Sequence, residues 1–352
     1  MSTTTQAGRT AARWRLPTRL HPALSGFASV PITLFGLILV TFLIGRAMPI
    51  DPVISIVGDH APPDVIARVR TELGLDRPLY VQFGIYLRNL AQGDLGTSVM
   101  TSHPVTADIA HFFPATLELA TTAIIVAILI GVPLGVFAAA RQGTRFDHVV
   151  RVISLAGQSV PIFVLGLVCL LVFYVKLGIA PGTGQLDVAY EGLVPRVTGM
   201  LVIDSIIAGD WDSFWDALAH LAQPALVLAY FSMGYITRMT RAFMIEALSG
   251  EYIITARAKG LSASRILWRH AFGNIAVRLV TVLALAYASL LEGAVITETV
   301  FSWPGIGLYL TVSLLNADMN AVLGATLVVG LVYLVLNLLS DVAYHLLDPR
   351  VR

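Results

Sequence analysis

The sequence predicts an all-α integral membrane protein of about six spanning helices, with both termini on the cytoplasmic side. Composition is the first ground. Of 352 residues, 56% are hydrophobic and 13% charged, whereas soluble domains carry about 25% charged residues; the mean hydropathy is +0.78. The second ground is a series of long apolar runs, since about 20 residues at about 1.5 Å each cross about 30 Å of hydrocarbon. The third is the segregation of basic residues into alternate loops, which sets orientation.

Six runs qualify, at roughly Phe27–Ala47, Ala115–Ala140, Val152–Leu177, Ala217–Tyr235, Ala276–Thr297 and Ala321–Leu346. The fourth is short and interrupted by Pro224. Pro133 and Pro161 fall inside the second and third, where neighbouring helices can satisfy the carbonyls they free. Arginines precede the first run as in a signal peptide, but the run is long and no small-x-small cleavage site follows Ile44, so a retained span is expected. Placing both termini inside puts 16 of the 23 basic residues on the cytoplasmic side. They include Arg141, Arg145, Arg151, Arg238, Arg241, Arg257, Lys259, Arg265, Arg269 and Arg278. Asp51, Asp59, Asp64, Asp94, Asp187, Asp204, Asp210 and Asp212 then lie outside, and the asymmetry repeats in every loop.

Two external segments are substantial. Met48 to Pro114 is polar, with helical character around Asp64–Leu73 and Leu79–Leu90 and a turn at Gly93-Asp94-Leu95-Gly96. Gly178 to Asp216 is rich in Gly, Pro and Asp, and its Trp211 and Trp215 suit a membrane interface. Pro304-Gly305-Ile306-Gly307 reads as an external turn. The lone cysteine, Cys169, lies in an apolar run and behaves as a small apolar residue.

The informative stretch is Glu251 to Ala271, a basic, polar island between apolar runs. Tyr252 to Lys259 consists of helix formers, and Gly260 stands where a helix takes a left-handed stop. Ser262 is placed to cap a second short helix through Arg265 and Trp268. Two helices at a bend carrying Arg257, Lys259, Arg265 and Arg269 make a docking surface rather than a span.

These residues resemble a known family, the membrane-spanning permease subunits of ATP-driven, binding-protein-dependent ABC importers of the peptide and nickel class, B-type subunits of dipeptide and oligopeptide permeases in particular. The resemblance rests on Thr255-Ala256-Arg257-Ala258-Lys259-Gly260-Leu261-Ser262 followed by Arg269-His270-Ala271 and Asn274. It rests too on Glu72-Leu73-Gly74-Leu75-Asp76-Arg77-Pro78-Leu79, Gly93-Asp94-Leu95-Gly96 and Pro114-Ala115-Thr116-Leu117-Glu118-Leu119. Ser159-Val160-Pro161 before Gly166, Glu298-Thr299-Val300-Phe301-Ser302-Trp303-Pro304-Gly305 and Asp348-Pro349-Arg350 complete it, over roughly residues 27 to 352. The chain departs from the family pattern at Arg278, where a proline is usual, and at Glu292, where a small residue is.

The resemblance implies a type I ABC importer-like transmembrane fold in a bacterial inner membrane. It implies a cytoplasmic tail (1–26), a first spanning helix with an external region (27–114), and a core transmembrane domain (115–352) whose coupling loop occupies about 246–275. Tyr252, Thr255, Ala256, Arg257, Ala258, Lys259, Gly260 and Leu261 would contact a cytoplasmic ATPase, with Thr255, Ala256 and Ala258 giving a small face for close approach. The implied partners are a second, homologous permease, one or two P-loop ATPase subunits, an extracytoplasmic solute-binding protein and the bilayer. ATP and magnesium would reside in the ATPases, and no cofactor in this chain.

Motif absences agree with a non-enzyme. There is no GxxxxGK[ST], HExxH or GxSxG and no Cys/His array, so no catalytic or metal-ligating residue is assigned. Nucleic acid is not an expected partner, because the positive charge is sorted by side rather than gathered in a patch. His270 reads as a packing or capping residue, and His103, His111 and His220 are scattered through external regions. Glu292, an acid within a span, is a candidate substrate contact or proton relay; the bland reading has it facing a wet cavity or hydrogen-bonding a neighbour. It supports the alternative of a stand-alone ion-coupled carrier, against which stands the lack of paired interrupted spans. Glu298 is expected at the external end of the same helix, where an acid costs little.

Overall fold

The computed structural model describes residues 22–47, 52–58, 60–72 and 74–347; the basic N-terminal tail and Asp348-Pro349-Arg350 lie outside them. Among the described residues the regular structure is helical, with one isolated bridge, Thr97 to Pro104. In chain order the helices are α1 (Pro22–Ala47), α2 (Pro52–Val57), α3 (Pro63–Glu72), α4 (Leu79–Ala91), α5 (Val105–Ala140), α6 (Arg145–Ser159) and α7 (Ile162–Cys169), which continues as a π-helical stretch, Leu170–Lys176. They are followed by α8 (Leu201–Ala208), α9 (Trp211–Leu248), α10 (Glu251–Ala258), α11 (Ala263–Arg265), α12 (Gly273–Phe301), α13 (Ile306–Leu315) and α14 (Met319–Leu347). A π-helical stretch, Ile266–Phe272, fuses α11 to α12.

Among the described residues five helices are long and apolar enough to cross a membrane, and a sixth crossing is available if α6 and α7 are taken as one broken span. Here the structure corrects the sequence reading. The third run does not form one helix over Val152–Leu177, because α6 and α7 meet at 100°. Pro161 lacks an N–H and pushes its predecessor out of the helical region, and Val160 accordingly sits at φ −93°, ψ 125°. Pro114, Pro133 and Pro224, by contrast, are accommodated inside α5 and α9. The fourth span is also longer than its apolar run. At 38 residues α9 extends about 57 Å, so it projects well beyond the hydrocarbon and carries Arg238 and Arg241 with it. The island's second helix likewise is not short, since it runs on into the fifth span.

Helices α5 and α9 run parallel at the centre. Facing α9, α5 buries small residues (Ala120, Ala123, Ala127, Gly131, Gly135, Ala138), while Ile125, Leu129, Ile130 and Phe137 are exposed. Large apolar side chains outward and small ones inward is the membrane pattern, because lipid solvates the former and backbone approach requires the latter. The approach is close: Thr237 Oγ1 donates to Gly131 O at 3.1 Å, and a Cβ on Gly135 would lie 2.7 Å from Thr237 O. Leu119, Val136, Leu228, Ile236, Met244 and Ile275 fill the core around this contact. At the periphery α1 lies against α14, with Gly330 beneath Leu37 and Gly45 beneath Leu323.

Contacts between distant segments sort the bundle into two ends. Thr116, Glu118, Asp204, Glu298 and Asp318 gather at one end, and Asp147, Arg241, Glu246, Tyr252 and Arg278 at the other. The second end is the arginine-rich one, assigned to the cytoplasm.

Candidate functional site

At the arginine-rich end, α10 hangs between α9 and α12. Its C-terminus is closed by a Schellman arrangement: Leu261 N donates to Ala256 O at 3.2 Å and Gly260 N to Arg257 O at 2.9 Å. Gly260 takes φ +74°, a conformation that glycine adopts without a Cβ penalty. Ser262 then caps the next helix, its side chain accepting from Arg265 N at 3.4 Å. Both punctuation marks stand where the sequence placed them.

The faces of α10 divide sharply. Ile253 (1% exposed) and Ala256 are buried in the chain's own core, and Leu261 packs against it. Tyr252, Ile254, Thr255, Arg257, Ala258 and Lys259 are exposed, Ile254 at 66%. Ala256 therefore does not contribute to the outward small face, contrary to the sequence expectation. Burying positions three apart fixes how the helix presents the remaining ones. The sequence reading overlooked Ile254, although an isoleucine left outward on a polar helix was open to view.

One link ties α10 to a span, and two more brace the helices around it. Asn274 Nδ2 donates to Tyr252 Oη at 3.1 Å. Arg278 donates from Nη1 to Glu246 Oε2 at 2.8 Å and lies 4.8 Å over the Phe243 ring, so this departure from the family pattern has a partner in α9. Near the loop that precedes α6, Arg241 grips Asp147 with two hydrogen bonds, Nε at 2.5 Å and Nη2 at 2.8 Å. Asp147 also accepts from Gly143 N at 3.0 Å. We expect Asp147→Ala to cost roughly 3 kcal/mol, because the arginine is left without its counter-charge. The double variant Asp147→Ala/Arg241→Met should recover part of that loss in thermal unfolding in detergent.

The opposite end is a set of buried carboxylates, each closing a loop. Asp318 accepts from Ser98 Oγ at 2.5 Å and Met100 N at 3.1 Å. Asp108 accepts from Thr101 Oγ1 at 2.6 Å and Tyr309 Oη at 3.0 Å. Glu118 meets the N-terminus of α8, accepting from Leu201 N at 3.2 Å and Val202 N at 2.8 Å. Glu298, like Asp318, is 0% exposed. It accepts from Thr116 Oγ1 at 2.6 Å, Gly307 N at 2.7 Å and Leu308 N at 3.0 Å. This corrects the expectation that Glu298 would sit cheaply at a wet helix end. It also corrects the reading of Pro304-Gly305-Ile306-Gly307 as only a turn, since Ile306 opens α13. A Cβ on Gly305 would collide with the Glu298 carboxylate, so the glycine makes room for an acid at a helix N-terminus. Glu292, meanwhile, is exposed. It makes no hydrogen bond or ion pair with the other described residues.

Comparison with known proteins agrees with this arrangement. Residues 131–352 match the family described as binding-protein-dependent transport system inner membrane component, and residues 24–120 match the N-terminal region model of such membrane components. The probable D,D-dipeptide transport system permease protein DdpB of Escherichia coli is 44% identical over 90% of this chain and 93% of its own length. The di/tripeptide transport system permease protein DppB of Pseudomonas aeruginosa is 43% identical over 91% and 95%. The dipeptide transport system permease protein DppB of Alkalihalophilus pseudofirmus is 39% identical over 92% and 96%. The chain is thus a multi-pass membrane protein and a transport subunit, not an enzyme, and it belongs to the family of inner membrane components of binding-protein-dependent transport systems, which work with a solute-binding protein and ATPase subunits.

Proposed function

We propose that the chain is the permease subunit of an ATP-driven peptide importer in a bacterial inner membrane, forming half of the translocation path beside a second, homologous permease. One or two cytoplasmic P-loop ATPases, carrying the ATP and magnesium, drive it through α10, and an extracytoplasmic binding protein delivers the solute. The observation that carries this reading is the division of α10 into a face anchored in its own core and a face left outward. Ile254, Thr255, Ala258 and the charges of Arg257 and Lys259 form a small, cationic surface on a helix anchored by buried Ile253 and Ala256 and by the Tyr252–Asn274 bond to α12. Such a surface suits a groove with acidic rims, where charge-assisted bonds add to apolar contact. The peptide class comes from the relatives, whose names refer to dipeptides or di/tripeptides. A stand-alone ion-coupled carrier through Glu292 is disfavoured by membership in a binding-protein-dependent family.

The test is co-purification with the ATPase and ATP-driven peptide uptake. Ile254→Asp combined with Arg257→Glu and Lys259→Glu should abolish co-purification and lower uptake at least about tenfold, the loss of about 1.4 kcal/mol or more of interface energy. Far-UV dichroism should stay unchanged, because none of the three is buried. Normal assembly and uptake by this triple variant would refute the coupling role.

A further inference from the structure

Between α7 with its π-helical extension and α9 lies a crevice of about 420 Å³, lined by Leu165, Cys169, Phe173, Ala222, Gln223 and Tyr230 among others. That volume falls within the roughly 300–1,000 Å³ of small-ligand sites. Its walls are almost wholly apolar, with one conspicuous exception. Gln223 is 8% exposed, and its Oε1 and Nε2, both enclosed within the wall, have no hydrogen-bond partner among the described residues. Buried amides are nearly always paired, and each atom left unpaired costs about 1–3 kcal/mol. An apolar residue would fill this position without that penalty, so a glutamine there calls for an occupant.

We propose that Gln223, its amide turning from the wall into this crevice, is a contact site for the backbone of a peptide in transit. The proposal rests on the peptide-import reading above and adds a place and a chemistry to it. A primary amide offers one acceptor and two donors on adjacent atoms. The N–H and C=O of one extended residue point to the same side, as when paired residues of an antiparallel ladder exchange two hydrogen bonds. The glutamine amide therefore complements the backbone of a single extended residue. The apolar walls, Leu165, Phe173 and Ala222, would accept side chains without selecting among them by charge. Reading the backbone while tolerating the side chain is what passage of varied peptides requires. An acyl chain entering from the bilayer would leave both amide atoms unpaired, which makes lipid the poorer occupant.

Cys169 provides a reporter in the unaltered protein: it lines the same crevice, is half-buried and is the chain's only cysteine. The experiment is labelling of Cys169 by a small uncharged maleimide in the permease–ATPase complex without binding protein, followed by mass spectrometry. Trialanine should protect Cys169. Trialanine methylated at its amide nitrogens should protect only at concentrations about tenfold higher, the loss of one hydrogen bond worth about 1.4 kcal/mol. Gln223→Ala should weaken trialanine protection similarly and abolish the discrimination. Co-purification of the variant with its ATPase checks its folding, and the unaltered chain still decides the matter if the variant does not assemble. Cys169 labelling indifferent to trialanine, or equal protection by both peptides, overturns the site. If the complete system, binding protein included, imports trialanine while either of those results holds, only Gln223 is wrong. If the complete system imports no peptide, the peptide reading itself has failed.

Discussion

Replacing Glu298 with alanine is expected to lower stability by roughly 3–5 kcal/mol, by orphaning three buried donors at about 1–3 kcal/mol each. Thr116 Oγ1, Gly307 N and Leu308 N all point at its carboxylate, and Thr116 Oγ1 in turn accepts from Ile306 N at 2.8 Å. Their loss opens the junction where α5, α12 and α13 meet, together with the Trp303 Nε1 bond to Ala115 O at 2.9 Å. Glu298→Gln is a sharper probe. One amide oxygen can serve Gly307 and Leu308 while the amide nitrogen donates to Thr116, whose hydroxyl hydrogen turns elsewhere. This substitution should therefore cost about 1 kcal/mol and retain most uptake. Gly305→Ala should behave like Glu298→Ala, because its Cβ occupies the space of the carboxylate. Thermal unfolding in detergent and uptake in vesicles measure all three. If Glu298→Ala melts with the parent, the junction does not depend on this carboxylate.

The second large effect is expected at Gly135. A Cβ there would lie 2.7 Å from Thr237 O and 2.7 Å from Thr240 Cβ. A backbone carbonyl cannot rotate aside as the end of a side chain can, so α5 and α9 must separate. Overpacking of this kind costs about 1–3 kcal/mol or more. Gly135→Val should reach the upper end of that range and reduce the folded yield severalfold. Gly36→Ala is the control, since nothing lies within 4 Å of its Cβ and alanine favours a helix by about 1 kcal/mol over glycine. Equal melting temperatures for the Gly135 and Gly36 variants would show that the helices are not packed as described.

The GxxxG spacing of Gly131 and Gly135 was in view in the sequence, and it is the one signal that could have located the α5–α9 contact. The Glu298 junction offered less. The acid, its threonine and its glycines stand in three strings separated by up to 191 residues, and none of them by itself marks burial. Glu118 and Asp147 are similar, since a carboxylate near a proline or a turn looks solvated until the helix that donates to it is placed. The lone Gly305-x-Gly307 pattern was too common to interpret, although it proves to cradle an acid.

Membrane residence, the approximate spans, the basic end and the Gly260 and Ser262 boundaries within the basic loop were settled by the sequence alone. Each depends on a sum over neighbouring residues, whether hydropathy across one bilayer thickness or the backbone preference of a single glycine or cap. The tertiary structure decided the 100° bend at Pro161, the reach of α9 beyond its apolar run, the inward turn of Ala256 and the burial of Glu298. A proline bends or is tolerated according to the helices beside it, and an acid is costly or satisfied according to which donors arrive from elsewhere in the chain. Those partners come from helices distant in sequence, so no local pattern can record them.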